Sequence, residues 1–245
     1  MRLYVYGVTT AAEARVPAGL NGVGGPGAPV RLVPVGPIAA VVSPAPESVR
    51  ARRRDVMAHQ EVLTWVGQGA PLLPACFGLI AQDEASLCAT LERETEANLA
   101  ALERVRGRAE MNLKVALVES GVADLVRESA KIRKLRGQIG HDSDYTARIR
   151  LGEAVAEGLR QRAEAVAEEA RLRLADLVED AVPGPDLDGY VANVSFLVAV
   201  EQVEAVCRAV DRLAAEAGSR AELRLTGPLP CYSFCAQPTP QPAGV

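Results

Sequence analysis

The chain reads as an α+β protein of two domains, and three observations predict it. Short β-branched and aromatic runs (Leu3 to Val8, Val30 to Val35, Ile38 to Ser43) interleave with stretches of helical period, without the strict strand-helix rhythm of a parallel sheet. From Gly107 to Thr226 the order is strand, helices, strand, helix, strand, which predicts a split ferredoxin-like layout with a helical arm inserted. The length, 245 residues, lies between one and two domains at roughly 150 residues each. The boundaries follow as an N-terminal α+β domain over 1–106, a ferredoxin-like domain with a helical extension over 107–228, and a tail over 229–245.

In order, Leu3 to Val8 is the first strand. Pro17 to Pro29 holds five Gly and three Pro and is a loop. Gly36-Pro37 separates two apolar runs and makes them a hairpin. From Arg52 the positions Val56, His59 or Gln60, Leu63 and Val66 or Gly67 recur at helical spacing, and Gly67, Gly69 and Pro71 end that helix. Leu72 to Ile80 is strand-like, and Asp83 caps a helix running to about Arg106. Met111, Leu113, Val115 and Leu117 alternate with Asn112 and Lys114, which predicts a strand with one solvated face.

A charged helix spans Gly121 to Arg136 and breaks at Gly137 and Gly140. Asp144 to Val182 carries the longest periodic stripe: Leu151, Val155, Leu159, Ala163, Val166, Ala170, Leu174 and Val178. Gly152 and Gly158 permit a bend near its start. Tyr190 to Val200 is a strand, Glu201 to Gly218 an amphipathic helix, and Ala221 to Thr226 a last strand before a Pro-rich tail whose end, Gln237 to Val245, is expected to be disordered.

Composition excludes several functions. With 27 basic and 31 acidic side chains the net charge is -4, so no global field draws the chain to nucleic acid or an anionic membrane. One Trp, five Tyr and three Phe are few for a base-stacking platform. The most apolar stretch, Val191 to Val200, is far short of the ~20 residues a spanning helix needs. Five cysteines, an odd number, and an N-terminus without a secretory apolar run predict reduced thiols in the cytoplasm.

No motif for catalysis stands out. Gly22-Val23-Gly24-Gly25-Pro26-Gly27 matches GxGxxG, but the first strand ends well before it and the next element is a strand, so no helix N-terminus faces a phosphate. It is a loop. Cys231 and Cys235 have three residues between them, not the two of a redox pair, and the only histidines, His59 and His141, are isolated, so neither a metal site nor a cofactor is expected. Cys76 with His59 is the best nucleophile and base on offer, and a small thiol enzyme is the alternative reading. His141-Asp142-Ser143-Asp144 is too local for a triad and reads as a loop with an N-cap for the long helix. Lys131, Arg133, Lys134 and Arg136 suit a helix C-terminus, whereas Arg50, Arg52, Arg53 and Arg54 sit at a helix start and oppose its dipole, which fits either a plain solvated face, the more common case, or an acidic partner in another protein or elsewhere in this chain.

Several segments then resemble one family. Leu225-Thr226-Gly227-Pro228-Leu229-Pro230-Cys231-Tyr232-Ser233-Phe234 is similar to the closing "TGPWPPYSF" signature of the gas vesicle accessory proteins GvpL and GvpF. Tyr4 to Val8 resembles the family's opening strand, His59 to Leu63 its first helix, Pro71 to Gly78 its "PLPVRFG" segment, Gly107 to Val115 its "GRVEWSVKV" strand and Asn193 to Val198 its "NAAFLV" strand. The chain departs from the pattern at Cys76, Leu229 and Cys231, where the family often has Arg, Trp and Pro.

The resemblance implies a cytoplasmic, non-enzymatic protein in or on gas vesicles, with two α+β domains, the second a modified ferredoxin fold. It implies contact with GvpA, the small hydrophobic shell protein, and with other accessory proteins during nucleation, and no dealings with nucleic acid or lipid membrane. It also implies a tail packed on a basic concave surface of the first domain. Arg50, Arg52, Arg53 and Arg54 with Leu229, Tyr232 and Phe234 are therefore the candidate interdomain or partner contacts, with Leu229 to Cys235 docked mainly by apolar side chains.

Overall fold

The computed structural model describes residues 1–139 and 145–235. It divides into two compact units, one of Met1–Glu110 with the segment that begins at Leu229, the other of Met111–Pro228.

In the first unit, β1 (Leu3–Thr10), β2 (Arg31–Val35), β3 (Ile38–Pro44) and β4 (Leu72–Pro74) form an antiparallel sheet in the order β2-β3-β1-β4, and β5 (Ile80–Ala81) also pairs with β1. β1 is central, so its side chains from Leu3 to Tyr6 are buried on both faces and the alternation of a half-solvated strand is absent. Gly7 lets β4 close in, since a Cβ there would stand 2.4 Å from the Leu73 carbonyl oxygen. The hairpin turn pairs Val35 with Ile38 and places Gly36 at φ 57°, where a two-residue loop calls for glycine.

Helix α1 (Arg53–Gly69) buries His59, Val62, Leu63 and Val66 against this sheet in a core with Tyr4, Tyr6, Val41 and Leu72. The sequence reading of one strand over Leu72 to Ile80 becomes two short ones, interrupted by Gly78 at φ 94°. The single helix expected from Asp83 to Arg106 is two, α2 (Glu84–Arg93) and α3 (Thr95–Val105). Glu94 leaves helical geometry (φ -103°, ψ 9°), and Thr95 Oγ1 donates back to the Leu91 carbonyl, the kind of bond that bends a helix. Asp83 caps α2 as expected, its carboxylate accepting from the Ser86 N–H at 2.7 Å.

The second unit holds most of β6 (Arg108–Ala116), then α4 (Val122–Glu128), α5 (Ala130–Gly137), α6 (Tyr145–Leu174), β7 (Asp180–Pro183), β8 (Tyr190–Ala199), α7 (Val203–Ala217) and β9 (Glu222–Leu229). Its sheet runs β7-β8-β6-β9. Met111, Leu113 and Val115 of β6, Phe196 and Val198 of β8, and Val206, Val210 and Leu213 of α7 meet the α6 stripe in one core.

Three expectations for this unit are corrected. The helix over Gly121 to Arg136 breaks at Ser129, which turns extended (φ -86°, ψ 108°) and caps α5 by accepting from the Ile132 N–H. The long helix stops at Leu174. Val182 lies in β7, paired with Ser195, because an edge-strand partner outweighs helical period, and Pro183 is tolerated at that edge. The apolar stripe is buried only at Ala163, Val166, Ala170 and Leu174, while Leu151, Val155 and Leu159 are half-buried in the half of α6 that α4 and α5 pack on. Gly158 is a packing site there, since a Cβ would stand 2.9 Å from Leu125 Cδ2. The proposed cap at His141 to Asp144 lies outside the described residues, as does Gln237 to Val245.

Candidate functional site

The densest polar and aromatic cluster of the first unit surrounds His59. Helical period points His59 inward from α1, and it is 3% exposed, stacked on Tyr6 at 5.5 Å between ring centroids with Phe77 edge-on at 5.6 Å. Tyr4 O–H lies 3.1 Å from His59 Nδ1 and itself accepts from the Gly78 N–H at 2.9 Å. Tyr6 pairs with Ser43 Oγ at 2.9 Å and accepts from the Val23 N–H at 2.7 Å. Val23 belongs to the glycine-rich loop, so the GxGxxG match packs its backbone on a tyrosine. A Cβ at Gly22 would clash with that hydroxyl at 1.8 Å.

Burial governs the electrostatics. It lowers the His59 pKa against a raising hydrogen bond to the Ala75 carbonyl, so the ring is neutral at pH 7. Burial raises Tyr4 and Tyr6 and pushes Tyr232 up to about 12. The Cys231 and Cys235 thiols are likewise pushed up to about 12 by burial, which leaves them inert.

The C-terminal segment joins this unit. Tyr232 O–H lies 3.4 Å from His59 Nε2. The Ser233 N–H and Oγ–H both donate to the Glu110 carboxylate, at 2.8 and 2.7 Å. Phe234 is 4% exposed, with the Arg104 guanidinium 6.0 Å from its ring centroid, and the Cys231 thiol donates to the Arg108 carbonyl at 3.7 Å. Leu229 is half-buried. Arg50, Arg52, Arg53 and Arg54 are all exposed at the start of α1, with Arg54 3.4 Å from Asp55. The contacts described for Tyr232, Ser233 and Phe234 are thus with His59, Glu110 and Arg104, and the structure does not gather the arginines onto them.

Glu110 escaped the sequence reading, which put the polar residues of its strand on a solvated face. A lone carboxylate at the head of a strand carries no signal of burial, and the Ser233 donors come from a segment more than a hundred residues away. Also missed was the outer face of α1, where Met57 and Trp65 are 60% and 50% exposed, and Val56, expected on the inward stripe, is 42% exposed at its flank. The spacing of Met57, Glu61 and Trp65 at every fourth residue could have revealed it.

A thiol-imidazole pair needs a ring nitrogen aimed at sulfur, yet both His59 nitrogens meet tyrosine hydroxyls, and Cys76 is exposed. Among the described residues no group of three or more His, Cys, Asp or Glu could hold a metal, and no helix is long and apolar enough to cross a membrane.

Comparison with known proteins gives the chain its family. The model of the gas vesicle synthesis proteins GvpL/GvpF matches residues 2–236. Gas vesicle protein F of Streptomyces sp. (strain CB03234) is 36% identical over 239 residues, covering 96% of this chain and 99% of that one, and gas vesicle protein L of the same strain is 30% identical over 258 residues, covering 94% and 91%. The fold matches the crystal structures of GvpF from Anabaena sp. PCC7120 (TM-score 0.80, 19% identity, 96% and 98% covered) and from Microcystis aeruginosa (TM-score 0.73, 22% identity, 96% and 98% covered). With family signatures in order along the chain, a family model spanning nearly all of it and relatives matched end to end, this chain belongs to the GvpL/GvpF family of gas vesicle synthesis proteins.

Proposed function

We propose that the chain is a non-enzymatic gas vesicle accessory protein of the cytoplasm that binds the hydrophobic shell protein GvpA and other accessory proteins during nucleation and assembly. The observation that carries the reading is the family match over residues 2–236. The second unit, with strand order β7-β8-β6-β9 and helices between β6 and β7 and between β8 and β9, is read as a modified ferredoxin-like fold with α4 to α6 as its enlarged crossover. Covering apolar surface before assembly needs an apolar surface in return, and Met57 and Trp65 on the outer face of α1 offer one. Arg50, Arg52, Arg53 and Arg54 at the same helix start, and Leu229, Tyr232 and Phe234 of the C-terminal segment, are the proposed interdomain or partner contacts.

Trp65 is the sole tryptophan, so its emission reports on this face directly. Titration with GvpA should shift it to shorter wavelength, and co-purification should survive salt well above about 0.1 M, since screening weakens ion pairs and leaves apolar burial intact. Unchanged emission with co-purification only at low salt would refute apolar docking through α1.

A further inference from the structure

From Arg127 to Arg150 the sequence has seven basic and three acidic side chains, a surplus of four positive charges in a chain whose net charge is -4. Lys131, Arg133, Lys134 and Arg136 of α5 and Arg148 and Arg150 of α6 are all exposed, and α5 packs on α6, so they belong to one helical arm. The opposite surplus lies on the first unit. From Asp83 to Val105 there are six acidic and two basic side chains, with Glu92, Glu94 and Glu96 exposed where α2 meets α3. Among the described residues neither Lys134, Arg136 and Arg148 nor Glu92, Glu94 and Glu96 carry an ion pair.

We infer that the basic arm of one copy binds the α2–α3 surface of a second copy of this chain. The two surpluses are equal and opposite, and complementary patches steer encounter and fix register. A duplex or an anionic membrane would meet the arm and also the net negative remainder of the chain, whereas a second copy presents its positive and negative surfaces to the matching ones.

Sedimentation velocity of the full chain tests this. Association should rise with protein concentration at about 50 mM salt and vanish near 0.5 M, where the screening length falls to a few ångströms. The variants Lys134→Glu/Arg136→Glu/Arg148→Glu and Glu92→Lys/Glu94→Lys/Glu96→Lys should each be folded by circular dichroism and monomeric alone, and should associate again when mixed, because the reversed arm of one now meets the reversed helices of the other. A monomer at every salt concentration, association that persists in 0.5 M salt or in either variant alone, or failure of two folded variants to associate on mixing overturns the inference. So does a monomer retained on DNA, on anionic vesicles or on an immobilised acidic peptide, which would give the arm a different partner.

Discussion

Glu110 holds Ser233 at two points: one carboxylate oxygen accepts the backbone N–H at 2.8 Å and the other accepts the hydroxyl at 2.7 Å, across 123 residues of sequence. The carboxylate is 4% exposed. A bidentate bond of this kind fixes the direction of a segment that has no secondary structure beyond one 3-10 turn, Tyr232–Phe234, while Cys231 and Phe234 bury beside it.

Removing that acceptor should therefore cost stability. Glu110→Ala removes the charged acceptor shared by the Ser233 N–H and hydroxyl and should lower unfolding free energy by about 1–3 kcal/mol in urea titration, more than Ser233→Ala, which keeps the backbone bond. A chain ending at Cys235 retains every contact described here. One ending at Pro228 should melt lower and become protease-sensitive in the first unit; equal melting of the two would refute docking of the segment.

His59 makes stability depend on pH. Its folded pKa is lowered below the ordinary value of 6.5, so above 6.5 it is neutral folded or unfolded and imposes no penalty. As pH falls below 6.5 the unfolded chain takes up a proton that the folded one refuses, and stability declines until pH passes the folded pKa. Melting temperature should thus fall between about pH 7 and pH 5 in the native chain and stay flatter in His59→Gln.

Cys76→Ala should leave vesicle formation and melting temperature within error of the native protein. The side chain is exposed, and substitutions at exposed positions usually cost about 0.5 kcal/mol or less. Near-complete loss of vesicles with unchanged folding would instead revive a thiol mechanism.

The two halves of α6 should answer mutation differently. Leu174→Ala, at 1% exposure in the core of the second unit, should cost about 2–5 kcal/mol. Ile149→Ala, at 42% exposure, should cost about 0.5 kcal/mol or less. Equal costs in chemical denaturation would mean that the exposed half is buried in solution.

Periodicity alone was enough for most elements. The alternation at Met111, Leu113 and Val115, the inward placement of His59 on α1, the Gly36-Pro37 hairpin and the Asp83 cap all follow from local stereochemistry, which a short window of sequence contains in full. Family membership was legible too, because ordered segments such as Leu225 to Phe234 are specific as strings of residues. Where long-range partners set the outcome, sequence could not reach. Val182 continues a helical stripe yet pairs with Ser195, since a strand exists only beside its neighbour, and Leu159 shares the stripe of Val166 yet is only half-buried. Glu110 is the sharpest instance. By itself it is an acid in a strand, and the fold, by returning Ser233 to it, supplies two donors that help make burying a carboxylate tolerable.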